Sequence, residues 1–223
     1  MCLIVLAWRA HPRFPLVVAA NRDEFHSRKA APAAFWRDQP QLLAGRDLQA
    51  MGTWMGVSRT GKFAAVTNYR GAREPSAAES RGALVTGFLA NGVLPAAYMA
   101  DVAGRGPSYS GFNLLASDRH ELWWISNRDG APRRLEPGYY ALGNLLLDSP
   151  EVQPVKQRMA DTPPAVEALF AVVSQAKIIN PEYGTRCSTV LLDDGSDIRY
   201  AERAFGPDGA EGATGHYQFS TQL

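Results

Sequence analysis

The 223-residue chain is poor in the features that usually announce a function. It has two cysteines, Cys2 and Cys187, too few for a disulfide framework, which points to a reducing compartment. Its four histidines, His11, His26, His120 and His216, are dispersed and offer no metal-ligand spacing. There is no Cys-x-x-Cys-His motif for covalent haem, no Walker A loop and no Rossmann fingerprint. The glycine-containing stretch GRGPSYSG lacks the strand-to-helix context that either loop needs. Charge of one sign is also missing: 23 basic and 22 acidic residues give a formal +1, which excludes a nucleic-acid footprint or a polybasic membrane patch. No long apolar run exists. The run from Leu3 to Trp8 is too short to span a bilayer and is followed at once by Arg9, His11 and Arg13. A cytoplasmic protein without signal peptide or transmembrane segment is expected, with residues 1–223 as one domain, since no repeat, low-complexity tract or linker divides the chain.

What is present is a large apolar fraction, 46% of residues, enough for a sizeable core. CLIVLAW and PLVVAAN, separated by a polar stretch with Pro12, read as paired strands. A second pair lies in TWMGVSRTGKFAAVTN, with Arg59-Thr60-Gly61-Lys62 as its turn. Strands also fit FNLLAS, ELWWIS, YYALGN, CSTVLLD, DIRYAERAF and GHYQFS, with Gly206 to Gly215 as the loop between the last two. Helical spacing relates Leu84, Val85, Phe88 and Leu89, with Ser80 placed to cap the start, and again Val166, Leu169, Phe170 and Val173. Weaker helical segments run from Pro95 to Val102 and around Val155 to Met159. Strands, then helices, then strands predict a layered α+β domain and not a βαβ repeat.

Chemistry concentrates where the apolar strand PLVVAA runs into Asn21-Arg22-Asp23-Glu24, because a strand end aims polar groups from a rigid support. Pairing the first two strands brings Cys2 toward Asp23. With Met1 trimmed, Cys2 carries a thiol and an α-amine on one residue, and the amine can take the thiol's proton directly or through water. With Met1 retained, Cys2 is a small apolar residue opening a strand. Cys187 reads as a packed strand residue, Trp36 and Trp54 as core or rim, and Tyr69 and Arg70 as ligand contacts.

Met1-Cys2, Asn21-Arg22-Asp23-Glu24, Thr67-Asn68-Tyr69-Arg70, Ser80-Arg81-Gly82 and Gly184-Thr185-Arg186 occur in this order along the chain. Together they resemble the NRDE, or transport-and-Golgi-organisation, family. More distantly the pattern is similar to the choloylglycine hydrolase and penicillin acylase branch of the N-terminal nucleophile hydrolases. That resemblance implies a four-layer αββα sandwich and an N-terminal cysteine that cleaves amide bonds. By the same likeness Cys2 is the nucleophile, Asp23 holds its amine, Asn68 and Asn144 serve the oxyanion, and Arg186 lies near the nucleophile. Asn21, Arg22, Glu24, Tyr69 and Arg70 complete the ligand-facing set, with Arg22 or Arg186 for an anionic part of the substrate. The hydrolase branch has an arginine immediately before the asparagine of the strand-end motif. Here Ala20 stands there, and strand alternation is expected to aim Arg22 elsewhere.

Two functions compete. One is a thiol-dependent hydrolase of a small amide, with no cofactor required and no metal. The other is a non-catalytic carrier of haem or acyl-coenzyme A in the same cleft, in keeping with the family's association with haem trafficking and lipid metabolism.

Overall fold

The computed structural model describes residues 2–71 and 79–222, among which thirteen strands and four helices alternate in blocks. The chain opens with β1 (Leu3–Trp8), β2 (Leu16–Phe25), β3 (Ala30–Phe35), β4 (Leu42–Asp47), β5 (Met55–Ser58) and β6 (Phe63–Asn68). Helices α1 (Gly82–Ala90) and α2 (Pro95–Arg105) follow, then β7 (Phe112–Ser117), β8 (Leu122–Ser126), β9 (Arg133–Arg134) and β10 (Gly138–Leu142). Helices α3 (Gln153–Asp161) and α4 (Val166–Ser174) precede β11 (Tyr183–Asp193), β12 (Asp197–Phe205) and β13 (Glu211–Ser220).

The strands form two antiparallel sheets, one ordered β10-β1-β2-β11-β12-β13 and the other β3-β4-β5-β6-β7-β8-β9. Alternation along each strand divides the core. Ile4, Leu6, Val18, Leu191 and Tyr200 of the first sheet pack against Leu43, Phe63, Leu115 and Trp124 of the second. Leu3, Val5, Val17, Ala19 and Leu192 turn the other way, under Val155, Met159, Leu169 and Val173 of α3 and α4. Ala64, Leu114 and Ile125 pack beneath Leu84, Phe88, Met99 and Val102 of α1 and α2. The layers therefore run helices, sheet, sheet, helices, the mixed α+β arrangement expected.

Both predicted hairpins form, with Leu3 opposite Asn21 in the first and Val57 opposite Phe63 in the second. Gly61 supplies the turn of the second at φ +82°, a value costly for residues with a Cβ. Four readings need correction. Strands β3 and β4 escape the sequence because AAPAAF and LLAGRD hold few β-branched residues; β3 tolerates Pro32 as an edge strand whose register slips between Ala31 and Ala34. The loop before β13 is shorter than Gly206 to Gly215, since pairing with β12 begins at Glu211. Ser80 does not cap α1 with its side chain; its carbonyl instead accepts Ala83 N–H. Ala20 and Arg22, two positions apart, share the inter-sheet face of β2, so alternation does not separate them.

Candidate functional site

Cys2 stands one residue before β1, at the end of the sandwich where β2 leaves its apolar run. The half-buried thiol donates to the Asp23 carbonyl at 3.4 Å. Burial raises its pKa above the ordinary value, the Asp23 carboxylate adds to the rise, and the Arg22 guanidinium opposes it. Met1, and with it the state of the terminal amine, lies outside the described residues.

Asp23 is placed by a bulge. On β11 the register slips between Thr185 and Cys187, leaving Arg186 as the extra residue. Without it Thr185 and Cys187 would share a face; with it Cys187 lies opposite Arg22 while Thr185 lies opposite Asp23. Thr185 Oγ1 donates to Asp23 Oδ1 at 2.6 Å and accepts Ile178 N–H at 2.9 Å. The Tyr183 hydroxyl donates to the same Asp23 carbonyl that Cys2 uses, at 3.2 Å, and burial moves the phenol's pKa upward.

Asn68 and Asn144 meet across the two sheets. Asn144 lies two residues past Leu142, which pairs with Ile4, just as Cys2 lies two residues before Ile4. Asn144 Nδ2 donates to the Asn68 carbonyl at 2.7 Å, and Arg70 N–H donates to the Asn144 carbonyl at 2.6 Å. These bonds clasp the end of β6 to the segment after β10. Asn68 is exposed, as is Arg70, and Tyr69 between them is half-buried.

The other motif residues sit elsewhere. Asn21 is buried against the helices, where Nδ2 donates to the Val173 carbonyl at 2.8 Å and Oδ1 accepts Ser188 Oγ at 2.6 Å. Its side chain joins β2 to α4 and does not face the inter-sheet side. Glu24 bonds its neighbour's Phe25 N–H and lies 3.7 Å from Arg28. Arg186 Nη1 donates to the carbonyls of Phe25, His26 and Arg28, so it braces the turn after β2. Arg22 lies over the Trp54 ring, 4.2 Å from its centroid.

Three participants were not assigned roles by sequence reasoning. Arg81 donates to the Gly111 carbonyl, and burial lowers its pKa while Cys2 and Glu24 act against that loss. Its one signal was membership of Ser80-Arg81-Gly82. Tyr183 precedes the Gly184-Thr185-Arg186 motif and gave no signal of its own. Glu202, buried on β12, accepts Ala33 N–H at 2.7 Å and lies 3.6 Å from Cys187 Sγ; nothing short of the register of β11 with β12 would have found it. Among the described residues no group of three or more His, Cys, Asp or Glu side chains is placed to hold a metal ion, and no helix is long and apolar enough to cross a membrane.

The family model described as "Transport and Golgi organisation 2" matches residues 1–177. A Bos taurus Transport and Golgi organization protein 2 homolog is 31% identical over 275 aligned residues, covering 100% of both chains. The Homo sapiens homolog is 39% identical over 163 residues, 67% of this chain and 59% of that protein. Among solved structures, a Caenorhabditis elegans N-acylethanolamine-hydrolyzing acid amidase ortholog superposes with a TM-score of 0.54 over 86% of this chain and 92% of its own. At 12% identity that likeness is one of fold.

Proposed function

Since the chain belongs to the transport and Golgi organisation 2 family and shares its fold with an amidase of the N-terminal nucleophile type, we propose that it hydrolyses a small amide through Cys2. The observation that carries this reading is the convergence of the Cys2 thiol on Asp23, beside the Asn68–Asn144 clasp. In the trimmed chain the α-amine takes the thiol proton, and the thiolate attacks the amide carbon to form a C–S bond. The resulting oxyanion accepts hydrogen bonds from the asparagine amides, each such donor being worth about 3 kcal/mol in comparable sites. Collapse breaks the C–N bond as the amine leaves with the ammonium's proton. Water then attacks the thioester and gives a proton to the α-amine; collapse breaks the C–S bond and releases the carboxylic acid, and the leaving thiolate recovers the proton from the ammonium. Asp23 holds the ammonium, Thr185 holds Asp23, and no cofactor enters the sequence.

Intact mass combined with turnover of a panel of N-acyl amides tests the proposal. The active species is expected to lack Met1, and Cys2→Ala to lose turnover while keeping its melting temperature. Full activity with Met1 retained, or in Cys2→Ala, overturns it. Saturable binding of haem or acyl-coenzyme A without any turnover would favour the carrier instead.

A further inference from the structure

Beside the candidate site, between the two sheets, lies a chamber of about 410 Å³. One wall is β3, the other is formed by β12 and β13, and the room comes from small residues: Ala31, Ala33, Ala204 and Gly215 leave space that larger side chains would fill. The slipped register of β3 frees Ala33 N–H from the ladder to bond Glu202, while the Tyr217 hydroxyl donates to the Ala33 carbonyl. These bonds fix the wall without filling the space.

Arg22 lines this chamber and is only 6% exposed. Among the described residues its guanidinium has no ion pair or hydrogen bond; its one contact of note is the Trp54 ring beneath it. Its N–H groups open onto a largely apolar chamber with the ring face on one side, so an anion entering there meets a charge-assisted fork that no side chain already occupies. Glu202 in the same chamber makes no ion pair with Arg22: Oε1 is engaged by Ala33 N–H and Oε2 by Cys187 and Thr189, and burial raises the carboxyl's pKa against the opposing field of Arg22. We propose that the chamber binds an apolar monocarboxylate, with Arg22 on Trp54 as the counter-ion and the alanine-lined walls around the apolar body. The planar fork of arginine matches a carboxylate. One guanidinium balances one negative charge, since Arg186 at the chamber's edge is taken up by the carbonyls of Phe25, His26 and Arg28, so a monoanion fits better than a dianion, and the volume falls within the range of small-ligand sites.

The inference concerns binding and does not depend on chemistry at Cys2. Calorimetric titration of the full chain with octanoate, 1-octanol and octyl phosphate tests it. Octanoate is expected to bind about tenfold or more tightly than 1-octanol, the range of a charge-assisted pair, and more tightly than octyl phosphate. Arg22→Met should erase the preference for octanoate without lowering the melting temperature, and Arg22→Lys should restore part of it. If Arg22→Met does not fold, Ala31→Phe, at a half-exposed wall position, should abolish binding in a protein that melts as the parent does. Octanoate binding that is absent, equal to that of 1-octanol, or unchanged in Arg22→Met or Ala31→Phe overturns the proposal. Octyl phosphate binding more tightly than octanoate does so as well. A protein that hydrolyses amides yet ignores octanoate refutes the chamber and spares the Cys2 reading; one that binds octanoate and hydrolyses nothing does the reverse.

Discussion

Replacing Asn21 by alanine separates a structural role from a ligand-binding one within a single motif. The asparagine makes two buried hydrogen bonds, to the Val173 carbonyl of α4 and from Ser188 Oγ of β11. The Val173 carbonyl also accepts from the backbone N–H groups of Gln175 and Ala176, so its loss is limited, whereas the Ser188 hydroxyl is left in a site 2% exposed without its acceptor. Two net bonds and one stranded hydroxyl together cost about 2–4 kcal/mol. For a chain of this size that lowers the melting temperature by roughly 5–15 °C. Urea unfolding should show a lower midpoint at unchanged slope. Because Ser188 then gains nothing from Asn21, the double variant with Ser188→Ala should cost less than the sum by about 1 kcal/mol. The pH dependence of Cys2 alkylation should not move. A loss under about 0.5 kcal/mol, typical of surface positions, together with altered Cys2 reactivity would refute the reasoning and return Asn21 to the ligand-facing set.

In protein retaining Met1, iodoacetamide labelling of Cys2 should rise with pH to a midpoint above the ordinary 9.0, since burial and Asp23 disfavour the thiolate; peptide mapping reads it, and a midpoint below that value contradicts the structure. Asp23→Asn should lower the midpoint by removing a negative charge. The Glu202 carboxyl is raised by burial above its ordinary 4.5, so its contribution to stability is full below the unfolded value and lost as pH climbs through the folded one. Stability of the parent relative to Glu202→Gln should therefore fall as pH rises across that window, and a difference flat in pH speaks against it. Arg119 pairs with Asp193 through two bonds of 2.8 and 3.0 Å and donates to Thr221, tying the β7–β8 turn to the far end of β11. Arg119→Met leaves a carboxylate 2% exposed on its side chain without its cation, with only Gly195 N–H still donating to it, and should cost about 3 kcal/mol in urea unfolding, with Asp193→Leu recovering part of the loss; an additive double variant would sink this account.

Much of the architecture is local and therefore legible. The first hairpin, the Gly61 turn and the apolar faces of α1 and α4 follow from side-chain periods of 2 and 3.6 and from one turn residue, and the structure contains them. The order of the motifs, with polar groups placed where strands stop, is equally a property of the chain read end to end. Strand β3 is not, because alanines carry no β preference and Ala33 is held by partners from Glu202 and Tyr217, 169 and 184 residues away. Nor is the division of Asn21-Arg22-Asp23-Glu24 into a buried brace, a stacked cation, a carboxylate held by Thr185 and a surface acid. The face each side chain takes there depends on which strand lies alongside and in what register, and the β11 bulge at Arg186 sets that register for Thr185 and Cys187. Sequence determined which groups this protein owns and that they stand at strand ends. Tertiary structure decided which of them meet, because pairings such as Arg22 with Trp54 or Asn68 with Asn144 arise only when separate strands pack, and burial then sets which groups hold their protons.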